Sequence, residues 1–425
     1  MNRRLFLGQS AALFGATLGV NSLALASSAN KAKVVVVGAG YGGATAAKYI
    51  RMLSNNSIDV MLIEPNGEFI SCPLSNLVVG GVEQIDAITT PYTGLSQKHG
   101  VRMVKDRVTK VDNQKKTITT ASGNTVSYDK LILAPGIGLN MDSIEGLSKA
   151  NADGVTLQAW NAGPETVALH KQLAAMPDGG VFAIAIPLAP YRCPPGPYER
   201  ACQVANYLKR SKPKSKVLVL DANPDVTSKG ALFKKAWAEM YPGLIEYRPS
   251  HTVTAVDAKT KTLKFELADD VRADVLNVLP SMRAASLVVD SGLATVNNRW
   301  APVKFLNFES TQAKDVHIIG DSIQVAPGMP KSGHMANQHA KVTAAAIVAE
   351  LNNIPVNPQP VVTNTCYSFV NASEVVHVAS VHQYVASEST FQSVKGAGGL
   401  SPAPSRIEGA YAWGWAKNIW NDTVG

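Results

Sequence analysis

Four consecutive valines, Val34 to Val37, follow Lys33 and run into Gly38-Ala39-Gly40-Tyr41-Gly42-Gly43. A helical stretch from Ala44 to Leu53 comes next, then a second apolar run from Ile58 to Ile63 that closes on Glu64. Unbroken apolar runs of this length mark strands covered on both faces, as in a parallel sheet. The pattern predicts strand, glycine turn, helix, strand. Two further apolar strands are expected at Tyr128 to Gly136 and Val316 to Asp321, each ending in a glycine-containing turn. A second strand–helix–strand unit is expected from Val181 to Ile186, about Glu199 to Leu208, and Lys216 to Leu220 with Asp221 at its end. A helical run begins near Ser332. Ahead of all of these lies a weakly apolar stretch, Ala11 to Ala26, interrupted by Gly15, Thr17, Gly19 and Asn21 and short of membrane-spanning character.

The glycines give the first unit its chemistry. Gly38 permits a tight turn, Gly40 lets the backbone approach a pyrophosphate, Gly43 lets helix and strand pack closely, and the helix N-terminus offers amide donors. Glu64 sits where a carboxylate accepts from both ribose hydroxyls, favouring a dinucleotide without a 2′-phosphate. The strand ending at Gly136 and the one ending at Gly320-Asp321 resemble the closing pieces of the FAD domain in the two-dinucleotide-domain, glutathione-reductase-like flavoproteins. Asp321 is then the expected acceptor for a ribityl hydroxyl. The second unit lacks the fingerprint: Pro187 to Pro197 holds one glycine, and its five prolines remove amide donors. The expected fold is therefore α/β, with two Rossmann-like dinucleotide-binding domains and a smaller C-terminal domain. The boundaries read as 30–145 with 300–355 for the FAD domain, 146–299 for a degenerate nucleotide-binding-like domain, and 356–425 for the C-terminal domain.

Composition narrows the setting. With 425 residues, 46% of them hydrophobic and 17% charged, the chain is a multi-domain globular protein. The net charge of +8 is mild. Its densest basic runs, Lys209 to Lys216 and Lys259 to Lys264, read as solvated surface, so no nucleic-acid partner is expected. Residues 1–29 carry Asn2-Arg3-Arg4-Leu5-Phe6 and the small-residue site Ala24-Leu25-Ala26, which read as a twin-arginine signal for export to the periplasm. That route suits a protein folded around its cofactor before export. No membrane span is expected.

Four cysteines, Cys72, Cys193, Cys202 and Cys366, accompany this oxidising destination. They allow three fully paired connectivities, and spacing does not choose among them. Nothing in their spacing suggests a metal site, and no C-x-x-C-H is present for covalent haem.

Four segments resemble the flavoprotein subunit of flavocytochrome c sulfide dehydrogenase: Cys72-Pro73-Leu74-Ser75-Asn76, Arg192-Cys193-Pro194-Pro195-Gly196-Pro197-Tyr198-Glu199-Arg200, Met329-Pro330-Lys331-Ser332-Gly333 and Asn364-Thr365-Cys366-Tyr367-Ser368. The resemblance extends from about Lys33 to the C-terminus and implies three things. Cys72 would carry a thioether to the flavin, although Pro73 departs from the aromatic residue usual there. Cys193 and Cys366 would form a redox-active disulfide beside the ring, leaving Cys202 as a buried thiol. Trp415 would pack against the flavin, with Trp413 and Trp420 in core or interface packing.

The expected chemistry is attack of hydrosulfide on that disulfide, with Cys193 as persulfide carrier and Cys366 nearer the ring. Glu199 is the candidate acid/base, and Lys331 is expected to place positive charge by the flavin pyrimidine. Electrons would leave singly to a c-type cytochrome, either a partner subunit or a soluble protein, which alone would carry haem. Elemental sulfur or polysulfide would be the product. Sulfide:quinone oxidoreductase, a non-enzymatic flavoprotein that reactivates sulfur-oxidation proteins, and an NAD(P)H-dependent disulfide reductase are the competing readings.

Overall fold

The valine run lies in the middle of a seven-stranded sheet. The structure, a computed structural model, describes residues 31–425, so the export segment at 1–29 lies outside the described residues. Strand Lys33–Val37 pairs in parallel with Asp59–Ile63 on one side and Lys130–Leu133 on the other. Val316–Ile318 continues the parallel order beyond Lys130–Leu133, and Arg102–Val104 continues it beyond Asp59–Ile63. Val34 to Val37 are all buried, because helix Tyr41–Leu53 and helix Gly333–Leu351 pack together over this sheet. The parallel centre puts the C-terminal strand ends, and the turns after them, along one edge.

The second unit builds a five-stranded parallel sheet in the order Thr156–Leu157, Val275–Val278, Val181–Ile186, Lys216–Asp221, Ile245–Arg248. Its helix is longer than the pattern suggests, Gly196–Ser211 rather than Glu199 to Leu208. Pro197 explains the early start: in a first turn its missing amide has no helical carbonyl to serve. The first helix likewise begins at Tyr41, directly after Gly40, three residues before the expected Ala44.

Asp221, at the strand end where a nucleotide-binding carboxylate would meet ribose, is fully buried and occupied internally. It accepts from Tyr198 Oη at 2.7 Å, Tyr247 Oη at 3.1 Å, and the backbone and side-chain nitrogens of Asn223 at 2.9 and 2.7 Å. Both of its oxygens therefore already accept from this chain's own groups.

A three-stranded antiparallel sheet, Val361–Phe369, Val375–Val385 and Thr390–Leu400, follows, and the chain ends in helix Arg406–Val424. That helix is stitched to the flavin-fold helices. Lys48 Nζ donates to the carbonyls of Asn421 and Gly425 at 2.8 and 2.9 Å. Asp422 accepts from Tyr49 Oη at 2.7 Å, Asn337 Nδ2 at 2.8 Å and Lys341 Nζ at 2.8 Å. No helix among the described residues is long and apolar enough to cross a membrane.

Burial acts to raise the acidity range of Asp422, but hydrogen bonds from Lys341, Asn337 and Tyr49 outweigh it and hold the carboxyl below its ordinary range. A depressed carboxylate stabilises the fold fully above its unfolded value and loses that contribution as pH falls through the folded one. Asp422→Ala is therefore expected to cost about 1–3 kcal/mol in denaturant unfolding at neutral pH. The gap to the unsubstituted protein should close on acidification below roughly pH 4; equal midpoints at pH 7 would contradict the stitch.

Candidate active site

The strand-end turns of the first sheet open into a cavity of about 1060 Å³ shared by all three parts of the chain. At one end, Gly38, Gly40 and Glu64 line it. Glu64 Oε2 accepts from the Ala39 amide at 2.8 Å, and Oε1 from Asn66 N and Nδ2 at 2.9 and 2.7 Å, so the carboxylate is aimed and rigid. Gly43 does not line the cavity. A Cβ there would land on the Gly38 carbonyl, which is why only glycine lets the helix seat against the turn. A Cβ on Gly40 would meet no protein atom within 4 Å and would occupy space at the N-terminus of helix Tyr41–Leu53. A pyrophosphate fits that cradle.

Gly136, Gly320 and Asp321 line the middle of the cavity. Asp321 Oδ1 is buried without a hydrogen-bond partner, as is Trp160 Nε1 on the same cavity wall. Burial pushes the Asp321 carboxyl up, while the charges of Arg192 and Lys331 pull it down. Buried polar atoms of this kind cost free energy unless a ligand satisfies them. Glycine cradle, aimed glutamate and orphaned aspartate together fit an FAD.

At the other end, Cys72, Cys193, Cys366, Glu199 and Trp415 share the wall. Cys193 stands on the proline-framed turn with φ 55°, and its amide donates to the Lys331 carbonyl at 2.9 Å. Cys366 lies mid-strand in Val361–Phe369. The four cysteines are separate thiols in this structure. Cys193 and Cys366 are near enough that, after burial, the Cys366 charge is the next largest influence raising Cys193. Cys202 is buried off the cavity on helix Gly196–Ser211 and accepts from Trp237 Nε1 at 3.2 Å.

Glu199 ties the two sulfur-bearing segments together. Its Oε1 accepts from the Phe369 amide at 2.8 Å and its Oε2 from Asn76 Nδ2 at 2.9 Å. Burial raises its acidity range, and those two hydrogen bonds with the charges of Lys229 and Arg200 only partly offset it. Arg200, also buried, donates to Asn76 Oδ1 at 2.9 Å, to the Gln158 and Ala159 carbonyls at 2.9 and 2.6 Å, and to Asn277 Oδ1 at 2.9 Å. Trp415 stands 6.0 Å from the Tyr367 ring and 5.8 Å from the His334 ring. Trp420 is buried and donates to Tyr41 Oη at 3.0 Å, while Trp413 is half-buried against the core.

One expected site residue is placed elsewhere. Lys331 does not line the cavity: its ammonium donates to the carbonyls of Asp321 and Ile323 at 3.0 and 2.5 Å and lies 3.6 Å from the Trp300 ring centroid. Burial lowers it to about 7. The backbone after Met329 turns its side chain behind the cavity wall, where carbonyls and an indole satisfy it. Its charge still acts on Asp321, and its carbonyl accepts from the Cys193 amide. The pattern also passed over Lys229, Arg192 and Asn364. Asn364 was accessible, since strand alternation puts it on the same face as Cys366. Lys229 approaches Cys366 only through the tertiary fold, and no local signal marks it.

Three family models match the chain. The central part of the sulfide dehydrogenase (flavocytochrome c) flavoprotein chain matches residues 166–280, the flavin-binding part of flavocytochrome c sulphide dehydrogenase matches 358–424, and pyridine nucleotide-disulphide oxidoreductase matches 32–163. The sulfide dehydrogenase (flavocytochrome c) flavoprotein chain of Chlorobaculum thiosulfatiphilum is 56% identical over 46 residues, 11% of this chain and 94% of that sequence. Mitochondrial sulfide:quinone oxidoreductase of Dictyostelium discoideum is 24% identical over 340 residues, 77% of this chain and 73% of that one. Among solved structures, the sulfide:quinone oxidoreductase of Aquifex aeolicus shares the fold with a TM-score of 0.75 at 20% identity, covering 92% and 91% of the two chains. NDH2 from Plasmodium falciparum does so at 0.67 and 13%, covering 93% and 98%. With both of its diagnostic regions matched, and a glycine cradle and orphaned aspartate ready for FAD, the chain belongs to the flavoprotein chains of flavocytochrome c sulfide dehydrogenase, within the two-dinucleotide-binding-domain flavoproteins.

Proposed function

We propose that this chain is the exported flavoprotein of a sulfide:cytochrome c oxidoreductase, working in the periplasm with FAD tethered through Cys72. The observation that carries the reading is that Cys193 and Cys366, from separate parts of the fold, both line the cavity that fits FAD and act electrostatically on each other. In the oxidised protein the two sulfurs form a disulfide. Hydrosulfide attacks Cys193 Sγ; a new sulfur–sulfur bond forms, the Cys193–Cys366 bond breaks, and Cys366 departs as a thiolate with the electron pair. The substrate sulfur becomes the outer atom of a Cys193 persulfide and is oxidised as the disulfide is reduced. The positive charges of Arg192 and Lys229 act on Cys193 from beside the cavity, a field that draws an anionic substrate to that sulfur. Glu199, pushed up by burial, can take the persulfide proton and hold it away from water. FAD, when bound, would supply a two-electron sink for the Cys366 thiolate and one-electron chemistry toward the acceptor.

The acceptor is a c-type cytochrome, a partner subunit or a soluble protein, as the family's name indicates for its other members. Sulfur leaves as elemental sulfur or polysulfide. Arg3-Arg4 and the small-residue site before Ser27 support export in the folded state. A thioether at Cys72, which lines the cavity, would keep FAD bound where no fresh supply exists.

Adding sulfide to the purified flavoprotein should bleach its flavin absorbance, and reoxidation by cytochrome c should outpace reoxidation by quinone; the reverse order would move the assignment to a quinone reductase. Cys193→Ala and Cys366→Ala should retain FAD yet lose sulfide-driven bleaching by on the order of a thousandfold or more, and bleaching at the original rate in either variant would exclude the disulfide route. Cys72→Ala should release FAD on acid denaturation, whereas the unsubstituted chain keeps it through peptide mapping.

A further inference from the structure

Strand Val361–Phe369 presents Asn364, Cys366 and Ser368 on one face by its two-residue alternation, and two elements distant in sequence close over that face. Lys229 is one of them. It has φ 56°, precedes helix Gly230–Met240, and is buried. Its Nζ donates to the Cys366 carbonyl at 3.0 Å, Ser368 Oγ at 2.7 Å and the Val376 carbonyl at 3.3 Å. All three acceptors are neutral. A buried ammonium with only neutral acceptors is costly unless an anion forms beside it. The groups whose charges act on it are Cys366 first, then Glu199, Cys193 and Glu408; burial still brings it down to about 8.

Ser332, at the start of helix Gly333–Leu351, is the second. Its Oγ accepts from the Met335 amide at 3.0 Å, which leaves its hydrogen free to donate to Asn364 Oδ1 at 2.6 Å. Asn364 Nδ2 donates to Cys366 Sγ at 3.4 Å, and Oδ1, 3.6 Å from the same sulfur, accepts from the thiol until it ionises. Among the described residues no donor of this kind reaches Cys193 Sγ. Burial raises both thiols, but for Cys366 the strongest opposing influences are the Lys229 charge and the Asn364 hydrogen bond.

We propose that Lys229 and Asn364 form a thiolate pocket that makes Cys366 the departing sulfur and directs substrate sulfur onto Cys193. The proposal rests on the disulfide reading above. Asn364 is the catalytic member, since it touches the reacting sulfur; Lys229 acts as a positioning residue through charge and through the Cys366 carbonyl. The balance is that of the attack step: the electron pair of the broken sulfur–sulfur bond goes to Cys366 Sγ, where the pocket holds it, and no further oxidant or reductant enters.

Two measurements test it on the FAD-loaded protein. In the first, iodoacetamide alkylation of the dithiol form is followed cysteine by cysteine by mass spectrometry at pH 7.5, a readout that needs no turnover. Lys229→Met should slow alkylation of Cys366 by about tenfold or more, the effect of about one unit in thiol acidity, and leave Cys193 within about twofold. Lys229→Arg should restore most of the rate. Asn364→Ala should slow Cys366 in the same direction, and this smaller change carries the test should Lys229→Met fail to fold. In the second, a short sulfide pulse followed by trapping should place the persulfide on Cys193 in the unsubstituted protein and spread it over both cysteines in Lys229→Met and Asn364→Ala. Unchanged Cys366 alkylation in Asn364→Ala and in folded Lys229→Met, or a persulfide on Cys366 before any substitution, overturns the pocket. Alkylation as expected with neither persulfide nor flavin bleaching supports the pocket and sinks the disulfide mechanism instead.

Discussion

The carboxyl group of Glu199 is the tie on which the arrangement of sulfurs depends. It is buried, and a buried carboxyl is tolerated only with its oxygens satisfied. One oxygen takes the Phe369 amide and the other the Asn76 side chain, joining the C-terminal strand Val361–Phe369 and the short helix Ser75–Val79 to the central helix Gly196–Ser211. Cys193 stands three residues before that central helix, Cys366 three before Phe369, and Cys72 three before the short helix. Each sulfur is thus a fixed short step from an element that Glu199 holds. Movement of any of the three would leave an oxygen unpaired in the interior.

The charges around this tie are arranged for chemistry on anions. Arg200 is buried with its donors spent on Asn76, Asn277 and two carbonyls, which makes it a permanent structural cation. Burial, its largest influence, lowers it only to about 10, so it stays charged at neutral pH. Lys229 and Arg192 add positive field, and the one carboxyl among them is biased by burial toward holding a proton. Around the two sulfurs the neighbouring cations give a field that favours an anion, the condition the proposed thiolate requires. The same surroundings suppress ionisation of either cysteine as an isolated thiol, since burial raises both.

Most of the nucleotide fold was legible in the sequence because its determinants are local. A run of valines, glycines at fixed offsets and an acid after the next strand must adopt one geometry wherever they occur, and Gly38, Gly40, Gly43 and Glu64 stand where that geometry puts them. Cys193, Cys366 and Trp415 were legible through family motifs, and all three line the cavity. For Lys331 the motif fixes the backbone just before the helix start, but the direction of its side chain is decided by Trp300 and two carbonyls. Lys229 was invisible for the complementary reason. Its neighbours lie more than a hundred positions away, and no spacing in the sequence brings them to it. Side chains whose role is set by long-range packing are the ones a linear pattern cannot place.

The central sheet shows how a nucleotide site becomes a sulfur holder. Its strands keep the parallel order of a nucleotide-binding unit, so the turn after Val181–Ile186 still points at the flavin cavity. That turn is rich in proline where a glycine fingerprint would stand, and Asp221 accepts from Tyr198 and Tyr247. Prolines supply no amide donors, and the Asp221 oxygens already accept from this chain's own groups. The rigid turn instead holds Cys193 in a left-handed conformation that costs a β-substituted residue about 1–2 kcal/mol. Its amide is pinned to the Lys331 carbonyl at the start of the flavin-fold helix, so the strain is borne by contacts across the two folds. A sulfur fixed this way presents itself to the cavity without the motion that binding a mobile nicotinamide requires. The position that a phosphate takes in a glycine-turn unit is held here by a cysteine on the cavity wall.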